Sequence, residues 1–279
     1  MKVDLKGKIA AVTGGGGVLC GVMAKALAEN GAKVAILDLH LDNAQKVADE
    51  ITAAGGEAIG VECNVLDQES IEKANIAIVD AYGKVDILIN GAGGNRPEAT
   101  TSVEFHDPKM EISDDVKTFF DLDAEGVNFT FKLNFLGTLI PSQVFAKAMA
   151  DQGSGVIINI SSMNAFTPLT KIPAYSAAKA AVSNFTQWMA VHMSKAGIRV
   201  NAIAPGFFLT DQNRSLLTNE DGSMTERGGK IIGQTPMGRY GAPEELLGAL
   251  LWLVSDEDSG FVTGTVIPID GGFSAYSGV

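Results

Sequence analysis

Short apolar runs alternate with longer amphipathic stretches along most of the chain. The first run is Ile9-Ala-Ala-Val12, and others lie at 34–37, 58–63, 85–89, 156–160, 199–203 and 266–269. Continuous apolar runs are typical of strands buried on both faces of a parallel sheet. The stretches between them predict helices that end near Asn30 or cover about 43–54, 68–82, 130–151, 175–196 and 244–255. Right-handed crossovers then give an α/β fold, a single doubly wound Rossmann domain over 1–279 with a seven-stranded parallel sheet.

Two long connections interrupt this alternation. Residues 95–130 follow the fourth predicted strand and are rich in Asp and Glu, whereas residues 206–242 follow the sixth and are rich in glycine. Connections of this length in a compact domain are usually functional or disordered. Both leave the carboxyl ends of their strands, where open α/β sheets bind ligands, so we expect them to border a site.

Composition and charge narrow the possible classes of protein. The net charge of −12 argues against binding to nucleic acid or to an anionic membrane surface. No apolar run approaches the roughly 20 residues of a membrane span, and the amino-terminal segment lacks a signal-peptide pattern. Cys20 and Cys63 are placed at a helix start and a strand end, which suggests no disulfide framework, so we expect a cytoplasmic protein. His40, His106 and His192 lack metal-ligand spacing, and we predict no metal site.

The segment Tyr175-Ser-Ala-Ala-Lys179 carries the clearest candidate chemistry. Residues four apart share one face of a helix, so the phenol and the ammonium can point to one spot. At roughly 4 Å and an effective dielectric of about 20, the attraction is about 4 kcal/mol, enough to lower the pKa of the tyrosine by about three units. We therefore expect Tyr175 to work as an acid and base near neutral pH. Taken alone, the pattern also fits a half-buried tyrosine beside a solvated lysine.

A glycine-rich turn, Thr13-Gly-Gly-Gly-Gly17, follows the first strand and opens a helix. The backbone N–H groups and the dipole of such a helix suit a pyrophosphate. Asp38 ends the second predicted strand, where an acid can accept hydrogen bonds from an adenosine ribose. The glycines can also form only a tight turn, and Asp38 can cap the next helix. The two features together favour dinucleotide binding.

With these features in order, and with Asn90-Gly-Ala-Gly93 after the fourth strand, the chain resembles the short-chain dehydrogenase/reductase family over nearly its whole length. The family's glycine motif, T-G-x-x-x-G-x-G, keeps its first glycine at Gly14 but has Val18 and Cys20 at the other two glycine positions. Its N-N-A-G motif has glycine at position 91 in place of the second Asn. The changed turn predicts a backbone that lies slightly farther from the pyrophosphate.

The resemblance implies hydride transfer between a nicotinamide ring and a carbonyl or alcohol carbon. Tyr175 would be the acid and base, Ser162 would stabilise the substrate oxygen, and Lys179 would lower the pKa of Tyr175 and hold the nicotinamide ribose. Asn134 would anchor a water in the proton relay, and an Asn within an apolar helix needs such a partner. The residues that the resemblance places at the cofactor are Gly14, Gly17, Val18, Leu19, Asp38, Asn64, Val65, Asn90, Ala92, Gly93, Tyr175, Lys179, Pro205, Gly206 and Thr210.

The cofactor is predicted to be NAD rather than NADP. Asp38 is an anion where NADP carries its 2′-phosphate, and residues 14–18 contain no Arg or Lys to neutralise that phosphate. The family resemblance also implies a homo-oligomer, which we expect to be a tetramer. Its interfaces would come from the helices near 130–151 and 175–196 and from the C-terminal strand.

The substrate is predicted to be a small sugar-like molecule. Three features carry a closer resemblance: the Gly-Gly-Gly-Gly-Val-Leu turn, the extended insertion after Asn90-Gly-Ala-Gly-Gly-Asn-Arg96, and the ending Asp270-Gly-Gly-Phe-Ser-Ala-Tyr-Ser-Gly-Val279. In these the chain is similar to the branch of the family described as D-mannonate oxidoreductases or fructuronate reductases, which implies reversible reduction of a 5-keto hexuronate such as fructuronate. Because the net charge of −12 repels an acid, the site needs a local cation, for which Arg96 and Arg214 are the candidates. Asn95 and Asn164 are candidates for the sugar hydroxyls, together with Ser162.

Three alternatives stay open. The substrate can be a neutral polyol or ketose, and Arg96 can then be a surface residue paired with the acidic connection. A non-catalytic NAD-binding sensor can use the same fold, although it needs no acid and base. An enzyme of this fold that acts on acyl-carrier-protein thioesters or steroids would need a basic or broad apolar approach surface, which the acidic composition does not favour.

Overall fold

The structure is a computed structural model that describes residues 2–111, 113–210, 214 and 217–278. Residues 211–213, 215 and 216 of the predicted 206–242 connection lie outside the described part. Within the described part, seven parallel strands form one sheet in the order β3-β2-β1-β4-β5-β6-β7. The strands are β1 (Ile9–Thr13), β2 (Lys33–Asp38), β3 (Glu57–Glu62), β4 (Ile87–Asn90), β5 (Gly155–Ile160), β6 (Ile198–Pro205) and β7 (Val266–Ile269). The predicted doubly wound α/β fold is confirmed.

Helices cover both faces of this sheet. They are α1 (Val18–Glu29), α2 (Leu41–Ala53), α3 (Gln68–Ala81), α4 (Ala124–Phe131), α5 (Gly137–Gln152), α6 (Pro173–Met193), α7 (Glu226–Gly233), α8 (Leu247–Val254) and α9 (Asp256–Ser259). In the central strands, alternate residues enter different cores, as Val12 packs with α1 and α8 whereas Ala11 packs with α3 and α5. No helix among the described residues is long and apolar enough to cross a membrane.

The predicted helix over 130–151 is two helices joined by a π-turn. Helix α4 begins at Ala124, where the carboxylate of Asp123 accepts a hydrogen bond from Gly126 N at 2.7 Å. The π-turn covers Lys132–Leu136, and α5 continues from Gly137. The helix therefore begins six residues earlier than predicted, at the expense of the acidic connection. A π-turn inside a helix commonly marks a functional position.

The second long connection also contains regular structure. Helix α7 lies within the predicted 206–242 segment, and Thr225 caps it by accepting a hydrogen bond from Gly228 N at 3.0 Å. Lys230 of this helix forms an ion pair with Glu104 at 3.1 Å. The two long connections therefore meet each other beside the carboxyl edge of the sheet.

Candidate active site

A cleft of about 440 Å³ opens at the carboxyl edge of the sheet, between the ends of β1, β4, β5 and β6. A cleft in this position is the usual ligand site of an open α/β sheet. It is lined by Gly14, Gly17, Val18, Leu19, Cys20, Asp38, Gly91, Ala92, Gly93, Gly94, Ile160, Ser161, Ser162, Tyr175, Lys179, Pro205, Gly206, Phe207, Phe208 and Thr210. Most of the predicted cofactor residues and three of the four predicted catalytic residues thus share one cleft.

The glycine turn brings the backbone close to the turn that follows β4. Gly14 has a φ of +63°, and a Cβ there would lie 2.9 Å from the backbone of Ala92. Gly17 is the N-cap of α1, and no side chain in the described part caps this helix end. The first N–H groups of α1 are therefore available to an anion, as a pyrophosphate site requires.

Asp38 is fixed by two backbone N–H groups. Its Oδ2 accepts from Gly16 N at 3.1 Å, and its Oδ1 accepts from His40 N at 3.1 Å. The N-cap of α2 is His40, so the alternative in which Asp38 caps that helix is wrong. The carboxylate instead joins the glycine turn to the end of β2, where it borders the cleft.

Asn90 lies behind the cleft rather than in its wall. Its Nδ2 donates to Ser142 Oγ and to Asn159 Oδ1, both at 2.9 Å. In the turn that follows, Thr13 Oγ1 accepts from Gly91 N at 3.1 Å and from Ala92 N at 3.3 Å. These bonds hold β1, β4 and β5 in register at the floor of the site.

Asn134 is fully buried in the π-turn and reaches the loop after β4. Its Nδ2 donates to Gly94 O at 2.7 Å and to Thr130 O at 2.8 Å, while its Oδ1 accepts from Gly94 N at 3.2 Å. The partner that a buried Asn needs is thus the backbone of the cleft wall. Its predicted role as the anchor of a relay water stays a prediction.

Ser162, Tyr175 and Lys179 meet at the end of β5 and on the first turns of α6. The Oγ of Ser162 accepts from Asn164 N at 3.2 Å and shares a hydrogen bond with the hydroxyl of Tyr175. Lys179 Nζ donates to Ile160 O at 2.8 Å and lies 5.6 Å from the centre of the Tyr175 ring. Burial lowers the pKa of Lys179 to about 8.

The prediction that Lys179 lowers the pKa of Tyr175 is wrong for this structure. Burial raises the pKa of the Tyr175 hydroxyl, and its hydrogen bond with Ser162 offsets this only in part. The Lys179 ammonium is held by the Ile160 carbonyl instead of by the phenol. Tyr175 therefore keeps its proton at neutral pH, which suits a proton donor in the direction of reduction.

Two predicted cofactor residues lie near the end of β3. Asn64 is exposed, and its Oδ1 accepts a hydrogen bond from Leu66 N at 3.0 Å. Val65 is buried, and its Cγ2 lies 3.0 Å from the position that a Cβ on Gly137 would occupy. Their contact with an adenine stays a prediction.

The predicted substrate residues are spread around the site. Asn95 is exposed and donates to Thr100 Oγ1 at 2.9 Å, and the Arg96 guanidinium carbon lies 4.1 Å from the centre of the Phe129 ring. Arg96 forms no ion pair with any described residue, so the predicted alternative of an ion pair with the acidic connection is wrong. Asn164 is buried beside Ser162, and Arg214 N donates to Thr210 O at 2.9 Å.

Sequence reasoning missed two aromatic residues of the cleft wall. Phe207 and Phe208 follow Pro205-Gly206 directly and line the cleft. The ring of Phe207 lies 5.5 Å from that of Phe273 in an edge-to-face contact, which connects the cleft to the C-terminal turn. The sequence does contain a signal for them, because two apolar residues directly after the carboxyl end of a predicted strand are placed to line a ligand site.

The residues of the cleft fit an NAD molecule. The end of α1 without a side-chain cap would hold a pyrophosphate, the fixed carboxylate of Asp38 would accept from a ribose, and the glycines would permit close approach. A Cβ on Gly93 would lie 2.7 Å from Asn134 Oδ1 and 3.1 Å from Lys179 Nζ, so this position also requires glycine. Ser162, Tyr175 and Lys179, three of the four residues predicted to be catalytic, line the same cleft.

Comparison with known proteins agrees with this geometry. The family described as short chain dehydrogenase matches residues 8–221. An uncharacterized oxidoreductase of Haemophilus influenzae is 56% identical, covering 99% of this chain and 96% of that protein. A Bacillus subtilis protein described as uncharacterized oxidoreductase UxuB is 55% identical, and the match covers 99% of this chain and 98% of that protein. A crystal structure with bound NAD, from the same genus as the first relative, is provisionally assigned as a D-mannonate oxidoreductase. Its sequence is 57% identical to this chain, and the two structures match with a TM-score of 0.94. The match covers 99% of this chain and 98% of that one.

Proposed function

This chain belongs to the short-chain dehydrogenase family and is an NAD-dependent oxidoreductase, and from that premise we propose that it interconverts D-mannonate and D-fructuronate. The observation that carries the proposal is the 57% identity to the NAD-bound protein that is provisionally assigned as a D-mannonate oxidoreductase. The direction from acid to keto acid removes a hydride from the secondary alcohol carbon and a proton from its hydroxyl. The reverse direction returns both.

The residues of the cleft divide this work. NAD, when bound, accepts the hydride or, in its reduced form, donates it. The hydroxyl of Tyr175 gives its proton to the forming alcohol in reduction and takes it back in oxidation. Ser162 donates a hydrogen bond to the same oxygen and stabilises its developing charge. Lys179 places a cation beside both, because its pKa of about 8 keeps most of it charged at neutral pH.

Asn164 supports a polyhydroxy substrate. It is buried, and its Oδ1 has no hydrogen-bond partner among the described residues. A buried acceptor without a partner costs about 1–3 kcal/mol, a cost that a substrate hydroxyl would remove. Its backbone N–H is bonded to Ser162 Oγ, so the residue is next to the hydroxyl that would hold the reacting oxygen. We propose that it accepts from a hydroxyl next to the reacting carbon.

The carboxylate of the substrate requires a cation. Arg96 follows the loop after β4 and rests on the Phe129 ring, and Arg214 follows Thr210. We propose that Arg96 leaves the ring to bind the carboxylate, because a cation–π contact at an exposed position is worth only about 0.5–1 kcal/mol. The acidic connection around it favours the second candidate, a neutral ketose or polyol, since a negative surface repels an acid.

Steady-state kinetics separate these substrates. The enzyme is assayed with fructuronate and with the corresponding neutral ketose, as wild type, Arg96→Ala and Lys109→Ala, an exposed cation of the same connection. We expect Arg96→Ala to raise KM for the acid about tenfold or more and Lys109→Ala to leave it unchanged. Equal use of the neutral ketose, or an unchanged KM in Arg96→Ala, would favour the neutral substrate.

We also propose that the protein is a homotetramer. Trp188 of α6 is 57% exposed and stacks on Phe185 and His192, and Val191 beside it is 77% exposed. The Phe185 ring also contacts Phe135 of the π-turn. An exposed aromatic surface of this kind usually marks an interface, and it lies on the helices from which the predicted tetramer would be built.

A further inference from the structure

Cys20 occupies space beside Gly91 that a side chain at position 91 would need. A Cβ built on Gly91 would overlap Cys20 Sγ, whereas it would lie 3.5 Å from Cys20 Cβ, an ordinary contact. Cys20 is only 6% exposed and is in the first turn of α1. Both positions differ from the family motifs described above, and the structure places these two differences in contact.

The contact lies directly under the end of α1 that faces the pyrophosphate position. Gly91 follows β4, and its N–H is bonded to Thr13 Oγ1 at 3.1 Å, so it cannot move freely away from α1. An overlap between the two side chains would therefore displace the first turn of α1. That turn supplies the N–H groups for the anion.

The thiol serves as a packing group. Burial raises the pKa of Cys20 to about 12, so the sulfur stays neutral and protonated at physiological pH. A neutral thiol behaves as a small apolar side chain, and a buried one is usually inert. The thiol can therefore fill the gap over Gly91 without introducing a charge into the cofactor cleft.

We infer that Cys20 and Gly91 form a matched pair that holds the first turn of α1 against the loop after β4 and so determines how tightly NADH binds. The pair is a positioning device, because it acts through the backbone of α1. The sulfur at position 20 and a methyl group at position 91 would occupy the same space. We expect a methyl group at position 91 to be tolerated once the sulfur at position 20 is removed, with a small shift of the Thr13 carbonyl, which lies 2.8 Å from the added Cβ.

A double-mutant cycle tests this pairing by NADH fluorescence titration and steady-state kinetics. Gly91→Ala should weaken NADH binding about tenfold or more, because inserting a methylene into a packed region displaces its neighbours. Cys20→Ala should weaken it by less than about threefold, and Cys20→Ala/Gly91→Ala should return to within about threefold of wild type. At saturating NADH, kcat should change much less than the NADH affinity.

Two matched variants control for unspecific effects. Cys63→Ala/Gly91→Ala removes the other buried cysteine and should bind NADH as weakly as Gly91→Ala. Gly248→Ala adds a methyl group on α8 where no atom lies within 4 Å and should bind like wild type.

Three results would overturn the inference. The first is a Cys20→Ala/Gly91→Ala variant as weak as Gly91→Ala, since the Thr13 carbonyl, 2.8 Å from the added Cβ, would then be what excludes a side chain. The second is equal rescue by Cys63→Ala. The third is wild-type NADH affinity in Gly91→Ala. If Gly91→Ala does not fold, the double variant decides alone: wild-type affinity supports the pairing, and failure to fold overturns it.

Discussion

The side-chain amide of Asn134 bonds Gly94 in both directions. Nδ2 donates to the Gly94 carbonyl at 2.7 Å, and Oδ1 accepts from the Gly94 N–H at 3.2 Å. The π-turn that contains Asn134 is thereby fixed to the loop that forms one wall of the cleft. A buried amide that satisfies two backbone groups of a loop defines the conformation of that loop.

Replacing Asn134 by Ala should loosen this wall. Its side chain makes the two bonds to Gly94 and one to Thr130 O, so we expect a loss of about 2–4 kcal/mol in the free energy of unfolding. Turnover should also fall, since the loop no longer holds its place beside the catalytic set. Urea unfolding and kcat measure the two effects. Asn128→Ala, an exposed residue of α4, is the control and should change neither.

Tyr175→Phe should nearly abolish turnover and leave NADH binding intact. Only the proton donor is removed, and general acid–base groups typically contribute at least about a hundredfold. Tyr82→Phe, which removes a hydroxyl at the end of α3, should retain wild-type kcat. A Tyr175→Phe variant that keeps more than about a tenth of wild-type turnover would show that another group transfers the proton.

The fold followed from the apolar runs because strands such as Ile87–Asn90 are buried on both faces, so their sequence carries one simple pattern. The break between α4 and α5 did not follow, because the apolar spacing runs through Lys132–Leu136 without interruption. The π-turn is favoured by the bonds between Asn134 and Gly94, which are 40 residues apart. Only the folded chain brings those groups together.

The electrostatics of the catalytic pair were also beyond the sequence. The spacing of Tyr175 and Lys179 correctly predicted that both would border one cleft. It could not indicate how deeply the pair is buried or that the Ile160 carbonyl would take the ammonium. Burial therefore raises the pKa of Tyr175, and the hydrogen bond with Ser162 offsets this only in part.

The burial of Lys179 should make stability depend on pH in a defined range. Its pKa is about 8 in the folded state against 10.5 ordinarily, so between these values the unfolded chain binds more protons. The free energy of unfolding should rise with pH through this range by up to about 3 kcal/mol. Below pH 8 the buried ammonium is charged, so it should lower the free energy of unfolding by this full amount. The quantity to measure is the difference in urea stability between wild type and Lys179→Met, without NADH. The free energy of unfolding of wild type minus that of Lys179→Met should rise from pH 8 to 10. If it stays constant or falls, the low pKa of Lys179 is contradicted.

Asp38 should determine the choice of cofactor. Its carboxylate is fixed by Gly16 N and His40 N at the border of the cleft, where the family resemblance places the adenosine ribose, so it would repel a 2′-phosphate. We expect kcat/KM to be higher with NADH than with NADPH, and Asp38→Ser to raise the NADPH-to-NADH ratio about tenfold or more. Asp42→Ser, an exposed acid in the first turn of α2, should leave the ratio unchanged. Equal use of both cofactors by wild type would refute the assignment.

The aromatic surface of α6 should hold the subunits together. Trp188 is 57% exposed although it stacks on two neighbouring rings, and a charge placed there would be buried in any interface that covers it. Wild type should appear in light scattering at about four times the chain mass of 29.1 kDa, and Trp188→Glu should shift it to dimers or monomers. Leu41→Glu introduces the same charge at an exposed apolar residue of α2, on the opposite face of the sheet, and should leave the mass unchanged. A wild-type species of 29.1 kDa at micromolar concentration would exclude the tetramer. A tetrameric Trp188→Glu would instead place the interface on another surface.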